Sequence, residues 1–211
     1  MADGKLIFQL LAEASNILDV GCGPSGGHWW PSVRQNARVT AIDKFWVIKS
    51  LPPNFSYHKI AAEKIIKQAK WADSFDLIVA DHLFEHVEDP VLVAKGCYYG
   101  AKSGGKVHVG IPDATFFTDR FYRLIHPEGG GHIQQLTLKS MCQIMEDAGF
   151  KTSVYEPWAD DWLWLKKLYD FKGRGVKHIS QDEINYLADV FLKDLTPDKG
   201  YLYGWEIIFQ K

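Results

Sequence analysis

The feature that most constrains the fold is an alternation of short apolar segments with segments of helical character. Five apolar segments bounded by Gly, Pro, Asp or Asn predict strands: "NILDV" (16–20), "RVTAID" (38–43), "FSYHKI" (55–60), "FDLIVAD" (75–81) and "GKVHVGIP" (105–112). Between them, residues 61–70 and 89–101 predict helices, and the second begins with Asp-Pro, which suits a helix N-terminus. Apolar strands separated by helices predict a parallel sheet covered on both faces.

The C-terminal part of the chain extends this pattern. "TLKSMCQIMEDAGF" predicts a helix that is capped by Thr137 and ends at Gly149, followed by the strand "KTSVYEP" (151–157). "YLYGWEIIFQ" (201–210) predicts the last strand. Residues 157–200, rich in Trp, Tyr and Lys, predict a helical cap inserted between these two strands. We therefore expect a single domain, 1–211, without internal repeats.

Composition indicates an ordinary soluble protein. The 211 residues are 46% hydrophobic and 24% charged, enough for one domain with a full core. A formal net charge of −2 gives no general reason to expect a nucleic acid or an anionic membrane as partner. Cys22, Cys97 and Cys142 are too far apart for a disulfide framework or a zinc knuckle, which favours a reducing compartment.

The N-terminal segment "LIFQLLAEA" ends in a small-x-small pattern like that of a signal-peptidase site. Asp3 spoils the basic leader, and the first strand begins directly afterwards at Asn16, so we predict a short helix instead. No apolar run approaches the roughly 18 residues that a membrane span requires. We expect a cytoplasmic protein.

A glycine-rich turn follows the first predicted strand. "ILDVGCGPSGG" contains G-x-G-x-x-G as Gly21, Gly23 and Gly26, and glycines there let the backbone turn sharply and approach a ligand. Asp43 ends the second strand, about 20 residues later, where a carboxylate can bind both ribose hydroxyls of an adenosine. Together these features predict a nucleoside cofactor.

The charges around this turn distinguish two cofactor classes. Asp19 precedes the first glycine, Asp43 and Asp81 end two other strands, and Glu85 follows closely. An acidic rim suits the cationic S-adenosylmethionine and repels a pyrophosphate, so an NAD-linked oxidoreductase is the less favoured alternative. Asp19 can also cap the turn, and that role does not exclude the other.

"HLFEH" (82–86) matches H-x-x-E-H, a zinc-peptidase pattern in which two histidines bind the metal. That function requires the middle of a long helix. Here His82 directly follows a buried strand, and helical character resumes only at Asp89. We therefore predict a loop or short turn at the ligand-binding edge of the sheet.

These motifs resemble those of class I S-adenosylmethionine-dependent methyltransferases, the large group that includes ubiquinone-pathway and sugar-modifying enzymes. "ILDVGCGPSGG" and "VTAID" resemble the first two motifs, "DSFDLIVADHLFEHVEDP" and "AKSGGKVHVGIPD" those of the fourth and fifth strands, and "GGHIQQLTLKSMCQIMEDAGFKTSVYE" the segment leading into the sixth. The similarity covers about residues 14–156 and the last strand.

The resemblance implies an α/β, Rossmann-like three-layer sandwich with a mostly parallel seven-stranded sheet of order 3-2-1-4-5-7-6, the last strand antiparallel. It implies an S-adenosylmethionine site and S-adenosylhomocysteine as product. The expected cofactor-binding residues are Asp19, Gly21, Cys22, Gly23, Asp43, Lys44, Ala62, Glu63, Asp81 and His82.

Two departures from the family pattern bear on this site. The family often has Asp-Ala-Glu after the third strand, with the Asp on the adenine amino group, whereas this chain has Ala61-Ala62-Glu63. Adenine must then rely on backbone and stacking contacts. The glycine turn also runs into "GGHWWP", in which His28 and Trp29 either shape the methionine pocket or, as we favour, Trp29 and Trp30 pack against the first helix.

Transfer to a hydroxyl requires removal of its proton, and histidine is the natural base. The catalytic candidates are His132, in the glycine-rich "HPEGGGHIQQLT", then His82 and His86; a histidine that only holds the loop by hydrogen bonds is the alternative. Some similar enzymes, among them small-RNA 2′-O-methyltransferases, carry E-x-x-E-H here and bind a divalent ion. We predict no metal site, and leave open one formed by His82, Glu85, His86 and His132.

The acceptor is the least constrained feature. Aromatic residues in the predicted cap can stack on a sugar, although packing within the cap explains them better. "KKLYDFKGRGVKH" gathers Lys and Arg and can hold a phosphate or sugar nucleotide, but a solvated loop explains it equally well. We predict O-methylation of a small molecule such as a sugar or glycan precursor, with no nucleic acid partner; a non-catalytic cofactor-binding partner or sensor is the alternative.

Overall fold

The computed structural model describes residues 5–159, 180, 182, 185–186 and 202–211. Within residues 5–159 and 202–211 the chain forms a seven-stranded sheet and four α-helices, and residues 182, 185 and 186 are also helical. The strands are β1 (Asn16–Val20), β2 (Arg38–Ile42), β3 (Phe55–His58), β4 (Phe75–Asp81), β5 (Ala101–Pro112), β6 (Lys151–Ala159) and β7 (Leu202–Gln210). The helices are α1 (Lys5–Leu11), α2 (Pro90–Gly100), α3 (Phe117–Ile125) and α4 (Leu138–Asp147).

The topology of the sheet agrees with the prediction. Its order is β3-β2-β1-β4-β5-β7-β6. Strands β1 to β5 are parallel where they pair, and β7 lies antiparallel between β5 and β6. The order reverses at β1, which has β2 on one side and β4 on the other. In an open α/β sheet this reversal opens a crevice at the carboxyl ends of the strands, where ligands bind.

A hydrophobic core lies on each face of the sheet. One core joins β1, β4 and β5 to α2 and α4, through residues such as Val93, Cys97 and Met145. The other lies beneath α1 and contains Trp29, which is 1% exposed and shares the core with Ile7 and Leu11. Trp29 thus packs in the same core as the first helix, as predicted, whereas Trp30 is partly buried against this core, with its ring 4.6 Å from that of Phe55. Helices on both faces of a central sheet make the three-layer sandwich that the sequence predicts.

The predicted helix ends are present. Asp89 caps α2 by accepting from the Leu92 amide over 2.9 Å, and Pro90 occupies the first turn. Thr137 and Ser140 form a reciprocal capping box at the start of α4. Gly149, with φ of 110°, follows the end of that helix. Local side-chain chemistry therefore sets where these two helices begin and end.

Residues 61–70 do not form the predicted α-helix. They form 3-10 turns at Ala62–Lys67 and Ala69–Trp71. A 3-10 turn advances about 2.0 Å per residue, against about 1.5 Å in an α-helix, so the segment is longer than an α-helix of the same number of residues. Ile65 is completely buried and packs so closely on α2 that a Cβ added at Gly96 would lie 3.0 Å from the Ile65 Cβ.

Several strand ends differ from the prediction. β3 ends at His58 rather than 60, and β5 begins at Ala101 rather than 105. Gly104 has a φ of 75°, and a register shift against β4 lets the strand include residues 101–104. β6 continues to Ala159, so residues 157–159 of the predicted cap belong to this strand.

The rest of the predicted cap, from 160 to 200, lies almost entirely outside the described residues. In the described part of the chain, none of the helices combines the length and the apolar character needed to cross a membrane.

Candidate functional site

A cavity of about 440 Å³ opens at the carboxyl ends of the parallel strands, where the sheet order reverses. The glycine turn after β1, the loops after β2 and β3, the tip of β4 and the loop before α4 all contribute to it. Seven of the predicted cofactor residues line this cavity: Gly21, Gly23, Asp43, Lys44, Ala62, Glu63 and His82. Phe45, Trp46, His86 and Gly131 line it as well.

Asp43 joins the two loops that form one wall of the cavity. Its Oδ2 accepts from the Gly23 amide over 3.0 Å, and its Oδ1 accepts from the amides of Phe45 and Trp46 over 2.7 and 2.9 Å. Gly21 and Gly23 have φ of 77° and 69°, values that a side chain would disfavour. A carboxylate has about four acceptor sites, so Asp43 retains capacity for a ligand hydroxyl.

Asp19 lies behind the glycine turn, 3% exposed. Its Oδ2 accepts from the Trp30 indole Nε1 over 2.6 Å. Burial, opposed by that hydrogen bond and reinforced by the nearby Asp81, raises the pKa of Asp19 from 3.8 to about 7. A cation placed beside Asp19 would favour its ionised form. Trp30 is therefore a hydrogen-bond donor to the site as well as a packing residue.

The remaining predicted cofactor residues do not line the cavity. Cys22 is buried, and its amide donates to the Ile42 carbonyl over 3.1 Å. Asp81, at the tip of β4, lies 3.8 Å from His28. The base and rim of the glycine turn, rather than the wall of the cavity, are thus formed by Asp19, Cys22 and Asp81.

The tip of β4 carries the H-x-x-E-H motif in a turn. His82 has a φ of 51°, and Phe84–His86 forms one 3-10 turn, as predicted, so the long helix of the peptidase motif is absent from this described segment. Glu85 is 1% exposed, and its Oε1 lies 3.2 Å from His82 Nδ1 and 3.9 Å from His86 Nε2. Its Oε2 has no hydrogen-bond partner among the described residues.

The loop between α3 and α4 brings His132 to this turn. Gln134 connects the two segments, because its backbone N–H donates to the Glu85 carbonyl oxygen over 3.1 Å. His86 Nδ1 lies 2.9 Å from the Gly131 carbonyl oxygen, and the rings of His86 and His132 are 4.9 Å apart. His132 thereby lies next to residues that line the cavity. Two residues of that lining, His82 and His86, precede it by at least 46 positions in the sequence.

Two residues of α3 hold His132. Its Nδ1 lies 2.9 Å from Asp119 Oδ1, and the other oxygen of that carboxylate accepts from Arg123 over 2.6 Å. The side chains of His132 and Asp119 are 5% and 3% exposed. The sequence does not single out either helix residue, because an Asp and an Arg four positions apart are ordinary on a helix surface. Only the fold places them against a histidine from another segment.

The cluster at the tip of β4 also has the composition of a metal site. Glu85, His86 and His132 each offer a ligand atom, and these atoms lie within 4.8 Å of one another. The Gly131 carbonyl can only accept, so it requires a proton on His86 Nδ1, leaving Nε2 as a possible ligand. The residues therefore fit a divalent ion. Our prediction that the chain has no metal site stays a prediction.

Comparison with known proteins identifies the family of the chain. Residues 2–153 match the family model described as "Methyltransferase domain". The chain is 35% identical over 101 residues to the ubiquinone biosynthesis O-methyltransferase of Albidiferax ferrireducens, a match that covers 43% of this chain and 38% of that protein. It is 27% identical over 203 residues to the enzyme of the same name from Xanthomonas axonopodis, covering 85% of this chain and 77% of that one.

The solved structures include the same architecture. A structure of an S-adenosylmethionine-dependent methyltransferase from Archaeoglobus fulgidus superposes with a TM-score of 0.66 and 18% sequence identity. The match covers 99% of this chain and 91% of that one. At this identity the likeness shows the fold, while the family is shown by the sequence model.

Proposed function

Because the chain belongs to the methyltransferase-domain family, with S-adenosylmethionine as its cofactor, we propose that it methylates a hydroxyl group of a small molecule, such as a sugar or glycan precursor. One observation carries this proposal. The cavity lined by Gly21, Gly23 and Asp43 is also lined by His82 and His86, so the cofactor site adjoins a cluster of histidines.

The charges and the backbone support the proposed placement of the cofactor. Asp43, which is 8% exposed and lines the cavity, would accept from a ribose hydroxyl. Phe45 and Trp46, respectively 72% and 53% exposed at the cavity, offer apolar surface to adenine in place of the acid that Ala61 does not supply. Asp19 and Asp81 would face the cationic methionine portion.

His132 is the proposed base. Methyl transfer breaks the carbon–sulfur bond of the sulfonium and forms a carbon–oxygen bond to the acceptor, which must lose its proton. With Nδ1 directed at Asp119, His132 Nε2 is left to receive that proton. The products are a methyl ether and S-adenosylhomocysteine.

A metal would use the same residues in another way. Glu85, His86 and His132 would hold a divalent ion, which would polarise the acceptor hydroxyl and lower its pKa. His82 and His86 remain secondary candidates for the base; His82 contacts Glu85 and the Trp158 ring and is therefore better placed to shape the acceptor pocket.

The cellular compartment of the enzyme and the class of its acceptor are also proposals. The described cysteines Cys22, Cys97 and Cys142 are all free thiols, which supports a reducing cytoplasm. The acceptor is proposed to be a small molecule, because a net charge of −2 gives no support for a nucleic acid.

Two experiments test the proposal in sequence. Calorimetric titration should show micromolar binding of S-adenosylmethionine and S-adenosylhomocysteine and none of NADH. Incubation with methyl-labelled cofactor and a panel of monosaccharides, sugar nucleotides, phenols and amines should then label a hydroxyl-bearing member. Cofactor binding without transfer to any member would favour a non-catalytic module, and labelling of amines alone would refute O-methylation.

A further inference from the structure

We infer that Asp119 is a positioning residue, which holds His132 in the one tautomer and orientation that leave Nε2 available to the acceptor. This inference rests on the proposed role of His132. Asp119 does not touch the cavity and acts only through the histidine. Its contribution is therefore to the alignment of the base rather than to binding of either substrate.

One face of helix α3 contacts the His132 ring. Asp119 and Arg123 are four residues apart and therefore lie on the same side of the helix. Between them, the Tyr122 ring stacks on the His132 ring, with centroids 4.6 Å apart and an interplanar angle of 27°. The hydrogen bond fixes one edge of the imidazole and the stacked ring fixes its plane, so the ring has a single orientation.

The carboxylate also selects the tautomer. An ionised carboxylate only accepts hydrogen bonds, so its 2.9 Å contact requires the proton on His132 Nδ1. Arg123 occupies the other oxygen over 2.6 Å, which prevents the carboxylate from turning away. Nε2 is then unprotonated, and this is the only tautomer of neutral His132 in which Nε2 can take a proton.

The arrangement makes a sharp prediction for Asp119→Asn. An amide has one accepting oxygen and one donating nitrogen, while Arg123 can only donate. The amide oxygen is therefore expected to face Arg123, which turns the NH₂ group toward His132. Nδ1 must then accept, the proton moves to Nε2, and the base is in the wrong tautomer although the side chain keeps its size.

The first readout is the tautomer itself, measured by long-range ¹H–¹⁵N correlation spectra of the protein saturated with S-adenosylhomocysteine. The His132 signals are assigned by their loss in His132→Gln. We expect the Nδ1–H form in the wild type and the Nε2–H form in Asp119→Asn. A His132 that is Nε2–H in the wild type, or unchanged by the substitution, would overturn the inference.

A double variant separates positioning from simple destabilisation. In Asp119→Asn/Arg123→Met the guanidinium is gone, so the amide oxygen can accept from Nδ1 and the Nδ1–H tautomer should return. If Asp119 had only a structural role, removal of the Arg123 guanidinium as well would destabilise the protein further and would not restore the tautomer. The matched control is Asp147→Asn, the same chemical change at an exposed residue of α4. In the described part of the chain, the Asp147 side chain accepts a hydrogen bond from Gln143 only.

Turnover of the acceptor that is labelled best in the panel gives the second readout. Asp119→Asn should lower kcat at least about a hundredfold, the usual contribution of a well-placed base, with an unchanged KM for S-adenosylmethionine. The double variant should recover part of that loss. If His132→Gln leaves kcat unchanged, the base assignment itself fails, whereas a strong effect of His132→Gln with none of Asp119→Asn refutes only the role of Asp119.

Discussion

The protonation of Asp19 should couple the stability of the protein to cofactor binding. Burial raises the pKa of this carboxyl from 3.8 to about 7, so the folded protein keeps a proton that the unfolded chain releases. As pH rises from about 4 to about 7, the free energy of unfolding should therefore fall, by about 4 kcal/mol in total from this group, and stay level above that range.

A bound cation reverses the preference for the neutral form. The positive methionine portion of S-adenosylmethionine should favour ionised Asp19, so that binding near neutral pH releases a proton. If only the ionised form binds well, affinity should rise about tenfold between pH 6 and pH 8, because the ionised fraction of a group with a pKa of about 7 rises by that factor. In Asp19→Asn the amide oxygen can still accept from Trp30, and this pH dependence should disappear.

Two measurements test this coupling. Denaturant unfolding without cofactor should show Asp19→Asn more stable than the wild type at pH 8, with a smaller difference at pH 5. Calorimetric titrations in buffers of different ionisation enthalpy should show proton release by the wild type only. Asp89→Asn is the matched control, because it changes an exposed acid whose capping hydrogen bond an amide oxygen preserves. Equal affinities of the wild type at pH 6 and pH 8, with no proton release, would refute the reasoning.

The other predictions concern the cavity wall, the base and one helix end. Asp43→Ala should weaken S-adenosylmethionine binding at least about a hundredfold in a calorimetric titration, since it removes the acceptor of the Gly23, Phe45 and Trp46 amides together with the ribose contact. If His132 is the base, EDTA should leave kcat unchanged; a loss that Mn²⁺ or Zn²⁺ restores would assign the cluster to a metal instead. Thr137→Ala should cost about 1 kcal/mol in denaturant unfolding by opening the capping box of α4, and an unchanged midpoint would contradict this.

Much of the fold follows from local sequence patterns. Apolar segments between helices predict the parallel sheet, and the glycine turn with Asp43 predicts which edge of it binds a nucleoside. Asp89 and Thr137 mark the starts of two helices correctly, because a cap depends on atoms only a few residues away. The segment 61–70 departs from its predicted α-helix, because it forms 3-10 turns in which Ile65 packs against α2.

The chemistry of the site depends instead on contacts between distant segments. The sequence indicates His132 as a candidate base, but not that it meets His86, nor that Asp119 and Arg123 hold its ring. In the same way, two tryptophans indicate packing, whereas only the fold shows that Trp30 donates to a buried Asp19. Short-range patterns determine strands, turns and caps, because their hydrogen bonds close within a few residues. Tautomers, pKa values and the neighbours of a base are decided by burial and by which loops meet, and these exist only once the chain has folded.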